Sequence, residues 1–169
     1  MSSVGPRPTF EIASRKIATG MVPIPQNQTE LRRAMDLLPS KPLIVIADDH
    51  EDSADTTAEL LRIIGGYQVK VAYDGQQAVD AARLYRPSVV ILDINMPVMD
   101  GLKAAALIRE AQPAGAPLML VALTARMEPS DVEMGNDASF DTYLTKPADP
   151  YDLCALIDAF ALTRFNRAV

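Results

Sequence analysis

The sequence predicts an α/β fold in which five parallel strands form one sheet with helices on both faces. Between about residues 42 and 165, short apolar stretches of strand length alternate with longer stretches of helical periodicity. Strands separated by helices are typically parallel, because a crossover returns the chain to the same edge of the sheet. The length of 169 residues and the hydrophobic content of 49% suffice for one domain with a packed core.

Each predicted strand is an apolar or alternating stretch. Val89–Asp93 is the clearest, because four consecutive apolar residues, three of them β-branched, indicate a strand buried on both faces. Leu43–Ala47 and Leu118–Leu123 have the same apolar character, whereas Gln68–Ala72 alternates as a strand near an edge does. Thr142–Thr145 is predicted as a last, short strand.

Apolar residues at helical spacing predict the helices, which cover about residues 53–64, 75–85, 102–110 and 150–162. Asp52 or Ser53 can cap the first helix, and Gly65-Gly66 can end it. The segment 129–138 favours at most a short or frayed helix, because Gly135 and Asn136 lower helix propensity.

Residues 1–41 are predicted to be a largely irregular N-terminal extension, because five prolines interrupt them. Within this extension, Thr29 could cap one short helix from about Glu30 to Leu38. We assign residues 42–165 to the folded domain and residues 166–169 to a tail.

The net charge of −6 is unevenly distributed. Residues 1–41 hold six Lys/Arg and three Asp/Glu, whereas residues 42–169 hold ten and nineteen. The folded part is therefore a poor ligand for nucleic acid. No stretch of 18 apolar residues is present, the N-terminus lacks the apolar region of a secretory signal, and Cys154 is the only cysteine. We expect a cytoplasmic protein without a nucleic-acid or membrane partner.

Four predicted strands end in polar residues of distinctive types: Asp48-Asp49, Asp93, Thr124 and Lys146. The ends of parallel strands converge at the sheet edge where open α/β proteins bind ligands. Three crowded carboxylates repel each other by roughly 4 kcal/mol per pair at about 4 Å and an effective dielectric near 20. A divalent cation removes this repulsion, and Mg²⁺ suits a site of oxygen ligands.

The pattern resembles the receiver domain of bacterial two-component response regulators, the CheY-like family, over about residues 42–165. The resemblance rests on the acidic pair, the Asp-x-x-x-Pro-x-x-Asp-Gly motif at 93–101, Thr124-Ala125, Tyr143 and Lys146-Pro147. It implies a flavodoxin-like (βα)5 fold, a doubly wound parallel sheet with strand order 2-1-3-4-5.

By this resemblance, Asp93 is the phosphoacceptor, which takes a phosphoryl group from a histidine of a histidine kinase or a histidine phosphotransfer protein. Asp49 and Asp93 would bind Mg²⁺ directly, Asp48 would bind it through water, and the backbone carbonyl of Asn95 would supply another oxygen. The protein would then catalyse its own phosphorylation and dephosphorylation without being a conventional enzyme.

The resemblance also assigns roles at the other strand ends. Lys146 and the hydroxyl of Thr124 would contact phosphoryl oxygens, and the Lys146–Pro147 bond would be cis. Tyr143 resembles the switch aromatic whose ring turns inward on activation, although a half-buried strand tyrosine is the structural alternative. His50, the only histidine, is expected to be a loop residue, so the chain offers no phosphodonor histidine of its own.

The residues leave more than one function open. The first is a signalling receiver without an output domain, which binds a downstream protein or a second copy of itself. The second is a phosphorelay intermediate or phosphate sink, for example the receiver partner of a hybrid kinase system, which shares every site residue with the first. An enzyme of the haloacid dehalogenase type would need Asp-x-Asp, and Asn95 occupies the second of those positions. Only the resemblance to the family implies that residues 129–138 transmit the signal to a partner. Ser139 occupies a position at which relatives often have glycine.

Overall fold

The computed structural model describes residues 27–30, 41–125 and 140–167. The chain divides into two units, Met1–Leu38 and Pro39–Val169. In the first unit, residues 28–30 are helical, and the side chain of Asn27 accepts a hydrogen bond from the backbone N–H of Glu30 at 2.8 Å. The helix cap in this unit is therefore Asn27, and the prediction of Thr29 was wrong. The predicted helix at 129–138 lies outside the described residues, as do the other residues of the extension except Lys41.

The second unit contains one parallel sheet of five strands: β1 (Leu43–Ala47), β2 (Gln68–Ala72), β3 (Val89–Asp93), β4 (Met119–Thr124) and β5 (Thr142–Thr145). The strand order is β2-β1-β3-β4-β5, and all four neighbouring pairs are parallel. The structure confirms the doubly wound sheet and the order 2-1-3-4-5. β4 begins one residue later than predicted, and Thr124 is its last residue.

Four helices lie among the described residues of the second unit: α1 (Glu51–Gly65), α2 (Gly75–Tyr85), α3 (Gly101–Ala111) and α4 (Pro150–Arg167). α1 begins directly after His50, whose side chain makes no capping hydrogen bond. The predicted caps Asp52 and Ser53 instead lie within the first turn, where an acidic side chain complements the helix dipole. α4 continues to Arg167, past the boundary that we placed at residue 165.

Alternate strand residues point to opposite faces of the sheet and form two separate cores. The residues of one face pack with α1 and α4, and they include Ile44, Ile46, Val89, Ile91, Val121 and Leu153. The residues of the other face pack with α2 and α3, and they include Val45, Val90, Leu92, Ala104, Ile108 and Leu120. Burying one large aliphatic side chain contributes about 1.5–3 kcal/mol, so the central strands are held firmly from both sides.

A cluster of polar contacts joins α1 and α4 at the amino-terminal end of the sheet. The hydroxyl of buried Tyr67 donates a hydrogen bond to Asp158 at 2.6 Å and lies 3.2 Å from the carbonyl of Cys154. Lys41 Nζ lies 4.9 Å from the Tyr67 ring centroid and also donates to the carbonyl of Gly65. Burial and the Asp158 carboxylate raise the pKa of Tyr67. We call these five residues the amino-end cluster.

Candidate functional site

Four polar residues lie together at the carboxyl-terminal end of the sheet, because their strands are parallel and in register. Asp48 follows β1 at the level where Asp93 ends the neighbouring β3. Thr124 ends β4, and Lys146 follows β5 one position beyond the paired residues. We call these four residues the strand-end cluster. Its place in the sheet is the one at which open α/β proteins bind ligands.

The ammonium of Lys146 bridges two carboxylates in this cluster. Lys146 Nζ donates to Asp48 Oδ2 at 2.6 Å and to Asp93 Oδ2 at 2.7 Å. The two aspartates retain only 1% and 5% of their accessible surface, respectively. A buried carboxylate without a partner is strongly unfavourable, so one lysine compensates two groups that would otherwise repel each other.

The contacts of the cluster keep its charged forms stable. Burial alone would raise the pKa of the Asp48 carboxyl, but three donors hold it below its ordinary value: the Lys146 ammonium, the His50 backbone N–H at 3.0 Å and the Ser53 hydroxyl at 3.0 Å. Burial alone would lower the pKa of Lys146, but its contacts with Asp48 and Asp93 hold that pKa above the ordinary value. Both groups are therefore charged near neutral pH.

The loop after β3 fixes the position of Asp93. The backbone N–H of Asn95 donates to Asp93 Oδ1 at 3.1 Å, so the two carboxylate oxygens of Asp93 contact different groups. The N–H of Gly101 donates to the carbonyl of Ile94 at 2.9 Å and brings the start of α3 against the strand end. A Cβ atom at Gly101 would lie 2.2 Å from the carbonyl oxygen of Asp93, so only glycine permits this approach.

Asp49 and His50 extend the cluster towards solvent. Asp49 Oδ1 lies 3.1 Å from His50 Nδ1, and one ligand atom from each of Asp48, Asp49 and His50 lies within 4.8 Å of the others. Together with Asp93, the site contains three carboxylates and the single ammonium of Lys146. Two negative charges are therefore uncompensated, and these oxygen donors suit a hard divalent cation such as Mg²⁺.

The residues with predicted switch roles lie on β4 and β5. Thr124 is buried, and its backbone carbonyl accepts a hydrogen bond from the N–H of Lys146 at 2.8 Å. Tyr143 is half-buried, its hydroxyl oxygen is buried, and its ring lies edge-on against Phe140 with the centroids 5.6 Å apart. The Lys146–Pro147 peptide bond is cis, as expected.

The structure brings some of the predicted site residues into direct contact and places others nearby. Asp48, Asp93 and Lys146 are in contact, and Thr124 is joined to Lys146 through the backbone. Asp49 contacts His50, a residue that we predicted only as part of a loop.

Two residues of this region were not assigned to the site from the sequence. Ser53 was considered only as a helix cap, yet its hydroxyl donates to Asp48. Its position five residues after Asp48, in the first turn of a helix, was an available signal. Phe140 contacts Tyr143, and no feature of the sequence indicated that contact.

The chain belongs to the family of response regulator receiver domains, because the sequence model of that family matches residues 44–158. Receiver domains of this family serve two-component response regulators and generally bind Mg²⁺ at an acidic pocket. They interact with histidine kinases or phosphotransfer proteins.

Two curated relatives are proteins of Mycobacterium tuberculosis. The transcriptional regulatory protein PdtaR is 40% identical over 123 residues, which are 73% of this chain and 58% of that protein. The transcriptional regulatory protein PrrA is 34% identical over 134 residues, which are 79% of this chain and 56% of that protein. The chain thus spans little more than half the length of these relatives.

A solved structure similar to this chain is the receiver domain of the sensor histidine kinase PA1611 from Pseudomonas aeruginosa. It is 30% identical, has a TM-score of 0.64, and matches 72% of this chain and 98% of its own. That structure contains a magnesium ion coordinated in the active-site cleft. Among the described residues of the present chain, no helix is both long and apolar enough to cross a membrane.

Proposed function

We propose that this chain is a phosphorylatable receiver in which Asp93 accepts the phosphoryl group. The observation that supports this proposal is the contact of Lys146 with both Asp48 and Asp93 at the carboxyl end of the sheet. Asp93 is the central carboxylate of the cluster, and it ends a strand that is buried on both faces. An oxygen held in this way is well positioned to act as a nucleophile.

In the proposed reaction, a carboxylate oxygen of Asp93 attacks the phosphorus of a phosphohistidine on a partner protein. The P–O bond to Asp93 forms as the P–N bond to the histidine breaks, and the imidazole leaves with the electron pair of that bond. The partner is a histidine kinase or a histidine phosphotransfer protein. Lys146, which now pairs with Asp93, would contact a phosphoryl oxygen, and the Thr124 hydroxyl would donate to another.

The acidic residues would hold Mg²⁺ in this reaction. Asp49 and Asp93 would bind it directly, Asp48 through water, and Asn95 through its backbone carbonyl. The ion would neutralise charge on the carboxylates and on the incoming phosphoryl oxygens. The uncompensated negative charge of the cluster supports this assignment, as does the oxygen chemistry of its donors.

Labelling with a small phosphodonor tests the proposal without a partner protein. We expect wild-type protein to gain one phosphoryl group from acetyl phosphate in the presence of Mg²⁺, as measured by intact mass, and peptide mapping should locate the group on Asp93. Asp93→Asn should not be labelled. Asp152→Asn, which removes an exposed carboxylate from the first turn of α4, should be labelled at the wild-type rate. Labelling of Asp93→Asn at the wild-type rate would disprove the assignment.

We further propose that phosphorylation alters protein contacts through Thr124 and Tyr143. Movement of Thr124 towards the phosphoryl group would change the space available to the Tyr143 ring, which packs against Phe140. The altered surface would then bind a downstream protein or a second copy of the chain. Hydrogen exchange with and without beryllofluoride should show changed protection in β5. Changes confined to the loops after β1 and β3 would favour the phosphate-sink alternative.

A further inference from the structure

The imidazole of His50 lies on the solvent side of the acidic pair. Its Nδ1 atom is 3.1 Å from Asp49 Oδ1 and 3.5 Å from Asp48 Oδ1. The side chain is 77% exposed, so it contributes little to the core, and it does not cap α1. An exposed contact between a histidine and a carboxylate adds little stability by itself. The placement of this imidazole therefore has no structural explanation in the packing or capping of the helix.

The spacing of these atoms matches that of neighbouring ligands of one metal ion. Octahedral ligands about 2.1 Å from a cation are about 3.0 Å from each other, close to the 3.1 Å that separates His50 Nδ1 from Asp49 Oδ1. The N–H of His50 also donates to Asp48 Oδ1 at 3.0 Å, which fixes the backbone beside the carboxylates.

Asp48 presents its two oxygens to different partners. Oδ2 accepts from Lys146 and from the Ser53 hydroxyl, whereas Oδ1 faces His50. The ammonium of Lys146 therefore does not occupy the side of Asp48 on which the imidazole lies. A cation bound by Asp49 on this side would meet the nitrogen of His50, with Asp48 near enough to bind it through water.

We propose that His50 is a nitrogen ligand of the divalent cation in this site, which therefore favours a first-row transition-metal ion such as Mn²⁺ or Co²⁺ over Mg²⁺. This inference rests on the proposed function, because it concerns the cation site of the phosphoacceptor. Imidazole nitrogen is a good ligand for transition metals, whereas Mg²⁺ prefers oxygen ligands and keeps several waters. The imidazole thus adds affinity for one class of cation and little for the other.

Pulsed electron paramagnetic resonance of the Mn²⁺ complex tests this inference directly. In wild-type protein we expect a ¹⁴N coupling from a directly bound imidazole, and in His50→Gln that coupling should be absent. In isothermal titrations, His50→Gln should lose about tenfold or more in affinity for Mn²⁺ and Co²⁺, while its affinity for Mg²⁺ stays within about twofold of wild type. Glu51→Gln, which removes a neighbouring exposed carboxylate, should keep the nitrogen coupling.

The outcomes separate this inference from the proposed function. If Mn²⁺ binds and its affinity depends on Asp49, but the complex shows no nitrogen coupling, the role of His50 is disproved and the receiver function stands. Equal losses of Mg²⁺ and Mn²⁺ affinity in His50→Gln would also disprove the selectivity. If Asp49→Ala binds Mg²⁺ and Mn²⁺ as wild type does, the cation site of the proposed function fails, and the inference fails with it.

Discussion

The two ends of the sheet carry polar clusters that differ in burial and in charge balance. In the amino-end cluster, one lysine and one aspartate surround the hydroxyl and ring of Tyr67, so the opposite charges are equal in number. In the site at the carboxyl end, Lys146 faces the carboxylates of Asp48 and Asp93, with Asp49 close by. Lys41 and Asp158 are exposed, whereas Asp48 and Asp93 are buried. The comparison teaches that buried charge left without balance, rather than the mere presence of a polar cluster, marks the proposed phosphorylation site in this fold.

We expect the largest losses of stability from two Gly→Ala substitutions, one at each end of the sheet, and only the one at the carboxyl end should slow labelling. At Gly101 the new Cβ would lie 2.2 Å from the backbone carbonyl of Asp93, and at Gly65 it would lie 2.0 Å from the ring of Tyr67. Overpacking costs about 1–3 kcal/mol, and occasionally more, so we expect about 3 kcal/mol at each site in urea unfolding. Gly101→Ala should also slow labelling by acetyl phosphate at least about tenfold, because Asp93 must move.

The control for this pair is Gly115→Ala. This glycine has a φ of +80°, and among the described residues no heavy atom beyond its chain neighbours lies within 4 Å of the position that a methyl group would take. The variant therefore measures backbone strain alone, about 1–2 kcal/mol. Folded Gly65→Ala and Gly115→Ala should both be labelled at the wild-type rate. Equal slowing of labelling in Gly65→Ala and Gly101→Ala would remove the distinction between the two ends.

Replacing the lysine at each end should have an effect on stability that is as large as that of the glycine pair at the carboxyl end and smaller at the amino end. Lys146→Met leaves two buried carboxylates facing each other without a cation, and we expect a loss of about 3 kcal/mol in the free energy of unfolding. Added Mg²⁺ should restore part of that loss. Lys41→Met should cost only about 1 kcal/mol, because it removes a cation–π contact and one hydrogen bond, and Mg²⁺ should not restore it.

A smaller change is expected when the loss of unfolding free energy in Lys146→Met is measured as a function of pH. The pKa of Asp48 is held below its ordinary value of 3.8, so its stabilising contribution is present above that value and is lost as the pH falls through the folded-state pKa. The difference in stability between wild type and Lys146→Met should therefore shrink below about pH 3.8. A difference that persisted in strong acid would show that lost packing, rather than lost charge, causes the effect.

The sequence was informative where local pattern alone determines structure. The apolar stretch before Asp93 identified the central strand, and strand-end positions identified Asp48 and Lys146, although the strand order came from the resemblance to a family. Contacts between distant parts of the chain were not predictable. The start of α1 was placed too late because the hydroxyl of Ser53 bonds to Asp48 instead of capping the helix. The amino-end contact of Tyr67 with α4 has no periodic signature, since it depends on how two helices pack.

The central claim is that the carboxyl end of the sheet takes the phosphoryl group, whereas the amino end only stabilises the fold. The most direct measurement is the rise in melting temperature produced by beryllofluoride and Mg²⁺, because a ligand that binds only the folded state stabilises it. Tyr67→Phe removes the donor to Asp158 and should lower the melting temperature by the equivalent of about 1–2 kcal/mol, yet keep the full rise. Asp93→Asn should lose the rise. A full rise in Asp93→Asn, or its loss in folded Tyr67→Phe, would contradict the claim.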